Sequence, residues 1–100
     1  MGRIKGQVDF YGVWGRMRED YLSHEKPEIY RRLKESGELL RYLDGYQRAY
    51  SERAALLDKE LSEELGLTDE LMERDPPRWV MLAGQIHREV LRRLETEIRS

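Results

Sequence analysis

Leu39, Leu43, Tyr46, Tyr50, Ala54, Leu57, Leu61 and Leu65 follow one another at intervals of 4, 3, 4, 4, 3, 4 and 4 residues. Alternating threes and fours keep these side chains on one face of a 3.6-residue helix, and they do not fit the two-residue period of a strand. A continuous helix from Glu38 to Leu65 would run roughly 40 Å, so the rest of a 100-residue chain has to be organised around it. Gly45 interrupts the pattern. Glycine inside a helix costs about 1 kcal/mol relative to alanine, so it is expected to mark a kink or, more in keeping with the stripe, a close approach by a neighbouring helix.

The flanking sequence reads as shorter helices separated by strong breaks. Gly2, Gly6, Arg3, Lys5 and the alternation Val8-Asp9-Phe10 suggest an extended arm or short strand over 1–11. Val13, Met17, Tyr21 and Leu22 predict a helix over 12–24. Pro27 suits the first turn of the next one, in which Ile29, Tyr30 and Leu33 form an apolar face and Gly37 a C-terminal cap. Gly66 ends the long helix, Thr68 can cap a short segment Asp69–Arg74, and Asp75-Pro76-Pro77 combines a capping carboxylate with helix-starting prolines. Trp79, Leu82, Ala83, Ile86, Val90, Leu94 and Ile98 then predict a last helix over 77–99, packed along the long one. The expectation is an all-α small bundle of about four helices. One single domain would span 12–100, with a long central helix and a long C-terminal helix, preceded by the 1–11 arm.

With 39% hydrophobic and 38% charged residues and only three prolines, the chain is too rich in apolar side chains for a disordered segment. It has no cysteine, which removes disulfides, thiolate metal sites and cysteine nucleophiles together and fits a reducing compartment, the cytoplasm. No apolar run approaches the ~20 residues that span a bilayer, and the N-terminus has no signal-peptide core. No membrane association is therefore expected. Gly6 stands where a myristoylation motif needs Ser or Thr.

The net charge of −2 conceals a segregation. Residues 1–57 carry eleven basic and nine acidic side chains, and residues 76–100 five and three. Between them, Asp58, Glu60, Glu63, Glu64, Asp69, Glu70, Glu73 and Asp75 face only Lys59 and Arg74. The acidity sits in one stretch.

Catalytic patterns fail one by one. His24-Glu25 begins like a zinc-protease motif, but the second histidine is replaced by Glu28 and Pro27 falls inside the span that must be helical. His87 has Glu89 and Glu95 in its helix at spacings that do not bring the side chains together, and reads as a boundary residue. None of Ser23, Ser36, Ser51, Ser62 and Ser100 sits in a nucleophile elbow. Gly12-Val13-Trp14-Gly15 lacks the length and lysine of a phosphate loop. The acidic stretch has no calcium-loop form. No catalytic residue, metal site or cofactor is expected, and the chain is read as a nonenzymatic binder.

Three sets of residues are candidates for binding. Glu60, Glu63, Glu64, Asp69, Glu70 and Glu73 could meet a basic protein surface or imitate a nucleic-acid backbone, against the plainer reading of a solvated charged face. Tyr11, Trp14 and Tyr42 fit the apolar stripes less well than Tyr46, Tyr50 and Trp79, and are the candidate exposed aromatic anchors. For nucleic acid, Arg31, Arg32, Lys34 and Arg41 flank a helix, glycine turn and helix over Pro27–Tyr46, and Arg88, Arg92 and Arg99 could track phosphates along the last helix. Arg32, Ser36 and Glu38 stand where a compact helix-turn-helix needs buried apolar contacts, and Glu89, Glu95 and Glu97 dilute the second stripe.

Read as a string, Tyr11-Gly12-Val13-Trp14-Gly15-Arg16-Met17-Arg18, then Tyr21-Leu22, His24, Pro27, Tyr30, Leu33 and Ser36-Gly37, resembles the transposon-encoded protein family called TnpV. Gly66-Leu67-Thr68 with Leu71, and Trp79-Val80 with Ile86, continue the likeness, which covers roughly 11–98. Asp44-Gly45 and the acidic 63–75 region depart from the pattern. The resemblance implies a small accessory protein carried by bacterial mobile elements, without transposase chemistry. Three readings follow: an adaptor or inhibitor of a protein or protein–nucleic-acid complex, including an anti-CRISPR-like antagonist of a host defence nuclease; a DNA-binding factor for excision or regulation; and a homodimer whose long helix is supported by its symmetry mate.

Overall fold

The structure, a computed structural model, describes residues 12–100. Five helices make up most of them: α1 (Gly12–Glu25), α2 (Pro27–Ser36), α3 (Leu39–Leu65), α4 (Asp69–Arg74) and α5 (Pro76–Ile98). No strand occurs among the described residues. The all-α expectation holds, and the 1–11 arm lies outside the described residues. Each break falls where sequence chemistry puts it. Gly37, at φ 78°, closes α2 with its own amide bonded to the Lys34 carbonyl at 3.1 Å and the Glu38 amide bonded to that of Leu33 at 3.0 Å. Gly66, at φ 76°, ends α3, and left-handed positions of this kind favour a residue without Cβ. The Thr68 hydroxyl accepts the Leu71 amide at 3.0 Å to start α4. Asp75 Oδ1 accepts the Arg78 amide at 3.3 Å at the start of α5, which begins at Pro76, one residue earlier than predicted.

The helices group into two compact units whose boundaries fall inside α3 and α5. One unit takes the described residues through Ser51 together with Glu95–Ser100; the other is Glu52–Leu94. In the first, α1 packs on α2, and Trp14, Leu22, Leu43 and Ile98 are buried together with Gly12 and Gly15. In the second, Leu61 from α3 and Leu82, Ile86, Val90 and Leu94 from α5 form the core. Full burial of one such side chain contributes about 1.5–3 kcal/mol, so a handful of residues sustains each unit.

Four expectations need correction. Gly45 marks neither a break in α3 nor a close approach: the helix runs through it, and a Cβ placed there would meet nothing within 4 Å. Trp14, proposed as an exposed anchor, is 7% exposed, whereas its neighbour Val13 is 47% exposed. The buried face of α1 runs through Trp14, Gly15 and Leu22, one residue out of step with the Val13–Met17–Tyr21 spacing. Leu65 ends the long stripe in solvent, since α3 stops there at the Gly66 turn. His87 is exposed, not at a boundary.

Candidate functional site

Around α1, side chains from distant positions satisfy helix ends. The first amides of any α-helix lack internal partners. Here the Gln47 carboxamide oxygen accepts those of Trp14 at 2.9 Å and Gly15 at 3.1 Å, and its Nε2 donates to Ser51 Oγ at 2.9 Å, which fixes the amide's orientation. Gly12 makes the approach feasible. It sits at φ 57°, and a Cβ there would lie 2.5 Å from Gln47 Oε1.

Arg18 lies about one turn further along α1. Its Nη1 donates to the Ile98 carbonyl at 2.8 Å and that of Ser100 at 3.3 Å, and its Nε to the Tyr42 hydroxyl at 3.1 Å. The guanidinium also lies 5.0 Å from the Tyr21 ring centroid and 4.7 Å from that of Tyr46. A cation at the C-terminal carbonyls of a helix answers both their missing donors and the negative end of the helix dipole. Tyr46 also stacks on Tyr50, with centroids 5.5 Å apart and planes 4° apart, while Tyr42 tilts against it at 5.5 Å. Burial pushes the Tyr46 phenol above its ordinary value, against the pull of Arg18. Arg99 completes the clamp with ion pairs to Asp20 at 2.7 Å and Glu95 at 2.8 Å. The Arg99 hydrogen bond holds the Asp20 carboxyl below its usual range.

These contacts reassign several candidates. Tyr42 is half-buried and occupied by Arg18 and Tyr46, not a free anchor. Tyr11 lies outside the described residues. Arg99 is committed to Asp20 and Glu95, and Arg92 to Glu89 at 2.6 Å. Hydrogen bonds from Arg92 and Arg93 lower Glu89 to about 2. Arg88 remains exposed, so the proposed stripe along α5 is largely neutralised by its own helix neighbours. On α2 and the start of α3, Arg31, Arg32 and Arg41 are exposed and form no ion pair among the described residues, and Lys34 lies 5.4 Å from the Tyr30 ring centroid.

The candidates for catalysis are occupied with helix-local work. Ser23 Oγ donates to the Asp20 carbonyl at 3.1 Å, Ser36 to Leu33 at 3.2 Å, Ser62 to Asp58 Oδ1 at 3.3 Å and Ser100 to Glu97 at 2.9 Å, while Ser51 receives Gln47. His24 Nδ1 lies 2.9 Å from the Asp20 carbonyl and 3.3 Å from its carboxylate. Among the described residues, no three His, Asp or Glu side chains are grouped to hold a metal.

The acidic candidates behave differently. Glu60, Glu63, Glu64, Asp69, Glu70 and Glu73 are all exposed, and none is in an ion pair among the described residues. They sit at the end of α3, across the Gly66 turn and on α4, within the Glu52–Leu94 unit. The same unit exposes Leu56 (63%), Leu65 (47%), Met72 (42%), Val80 (64%) and Met81 (51%). Sequence reasoning missed these. Leu65 matched the inward period of its helix, and only the nearness of the Gly66 turn could have signalled its exposure.

A family model described as transposon-encoded protein TnpV matches residues 3–98. The chain belongs to that family. No curated protein and no solved structure matches it. In this TnpV-family chain the residues that carry the N-terminal likeness do structural work: Gly12 makes room for Gln47, Trp14 is buried, and Arg18 holds the end of α5. The transposon setting is thus established by family. No helix among the described residues is long and apolar enough to cross a membrane.

Proposed function

We propose that this TnpV-family protein is a noncatalytic accessory factor that binds a basic protein surface, or the basic channel of a protein–nucleic-acid complex, through the acidic stretch Glu60–Glu73. The observation that carries this reading is the contrast in how charge is used. The carboxylates of Asp20, Glu89 and Glu95 are tied to arginines, whereas those of the acidic stretch stay exposed and unpaired among the described residues. Concentrated unpaired charge of one sign steers and selects a partner of the other sign.

The test is a charge reversal, Glu63→Lys, Glu64→Lys, Glu70→Lys and Glu73→Lys together. Retention of proteins encoded on the same mobile element, measured by affinity purification from cells carrying it, should be abolished with helical content by circular dichroism unchanged. Undiminished retention refutes the reading.

A second reading rests on the exposed, unpaired Arg31, Arg32 and Arg41: a DNA-binding factor acting at the ends of the element. It requires retardation of element-end duplex that weakens steeply with added salt, and the absence of a shift at low salt rules it out.

A further inference from the structure

We infer that α3 pairs antiparallel with α3 of a second copy of this chain, across the face formed by Arg53, Leu56, Leu57 and Glu60, to give a two-fold homodimer. The acidic-surface reading above does not carry this inference, because the four glutamates reversed in its test are not the paired ones.

The four residues stand at i, i+3, i+4 and i+7 of one uninterrupted helix. At about 100° per residue they fall within a sector of about 100°, and together they line one cavity of about 200 Å³. Leu56 is 63% exposed, and Arg53 and Glu60 are exposed on either side of it. This face is not the edge of the core. Leu61, the buried side chain of α3 in this unit, points about 140° away from Leu56. Four residues at this spacing make the hole that receives a side-chain knob from a facing helix.

The order of the residues selects the occupant. Arg53 precedes Leu56 by three positions and Glu60 follows Leu57 by three, so the face runs cation, leucine, leucine, anion. Turned end for end, it presents its own complement. A two-fold axis between Leu56 and Leu57 sets each Leu56 against the second copy's Leu57 and each Arg53 against the second copy's Glu60, the self-matching that an isologous contact requires. Parallel packing sets arginine on arginine and glutamate on glutamate, which like-charge repulsion opposes. Antiparallel packing also separates the acidic stretches: the two copies of Glu63 lie about 20 Å apart along the helices, beyond the screening length of about 8 Å in physiological salt. Arg53 also has a partner in its own chain, and a guanidinium has more donors than one carboxylate takes.

Two leucines a side make a small interface, of the transient class below about 1,200 Å². Sedimentation equilibrium of the full chain from about 5 to 500 µM should therefore show the mass rising toward that of a dimer. Arg53→Glu alone and Glu60→Arg alone each create like-charge pairs at both ends of the contact, and each should weaken dimerisation by about tenfold or more. Mixed in equal amounts, the two variants regain opposite charges at both ends and should associate within about threefold of wild type, a recovery that misfolded variants cannot give. Leu56→Ser should weaken association without a change of charge. Ile29→Ser, at an exposed position of the other unit, should leave it intact. A single-chain mass throughout the range, a mixture no stronger than its components, or an unaltered Leu56→Ser dimer overturns the inference.

Discussion

Gln47 Oε1 accepts the Trp14 amide at 2.9 Å across thirty-three positions of sequence, so the first helix is capped by the third. Replacing Gln47 with Ala leaves two helix-end amides without that acceptor and should cost about 1–2 kcal/mol of stability in urea unfolding. Gln47→Glu keeps the acceptor and adds a favourable charge at the helix start, so it should lose less than Gln47→Ala. Equal losses from the two changes would argue against a capping role.

Arg18 makes two demands that lysine cannot meet together. A planar guanidinium donates in several directions while lying between the Tyr21 and Tyr46 rings, and an ammonium has neither the fork nor the flat face. Arg18→Lys should therefore destabilise nearly as much as Arg18→Ala, by about 2 kcal/mol. Thermal unfolding of the two variants side by side decides it, and wild-type stability in the lysine variant contradicts the account.

Glycine-to-alanine exchanges should change sign along the chain. Gly45 sits in open space within α3, and alanine there should stabilise by about 0.5–1 kcal/mol. Gly66 holds φ 76°, and alanine there should destabilise by about 1 kcal/mol. Denaturant midpoints of the two variants should move in opposite directions.

The carboxyls bound by arginine should set the acid limb of stability. Asp20 and Glu89 are both depressed in the folded state, by Arg99 and by Arg92 with Arg93. A depressed carboxyl contributes above its unfolded value and ceases to as pH falls through its folded one. The Glu89 contribution is therefore complete above its ordinary value of 4.5 and disappears by about 2. Glu89→Gln should flatten the fall of melting temperature across that interval, and Arg99→Gln should do so below pH 3.8, the ordinary value of Asp20.

The helices were legible because their signals are local. Gly37, Gly66, Thr68 and the Asp75-Pro76 pair act within a turn of their own positions, and each ends or starts a helix as expected. What escaped the sequence depends on long-range pairing. Nothing local to Trp14 announces that Gln47 will cap its helix. Arg18 reads as one more surface charge until the end of α5 is brought beside it. Tyr42 looked free for the same reason. The acidic candidates were visible as composition, but the exposure of the apolar side chain among them was not, because Leu65 continues a buried period to the very end of its helix.

The bonds from Arg18 to Ile98 and Ser100 join positions about eighty residues apart in a unit drawn from both ends of the described chain. Synthesis proceeds from the N-terminus, so a growing polypeptide has made all of the Glu52–Leu94 unit before it holds the residues that finish the other. On the ribosome, Arg18 has Tyr21, Tyr42 and Tyr46 at hand but must wait for the Ile98 and Ser100 carbonyls, while the acidic unit already has its full set of core side chains. A stop codon a few positions early would spare the Glu52–Leu94 unit and leave the first one open.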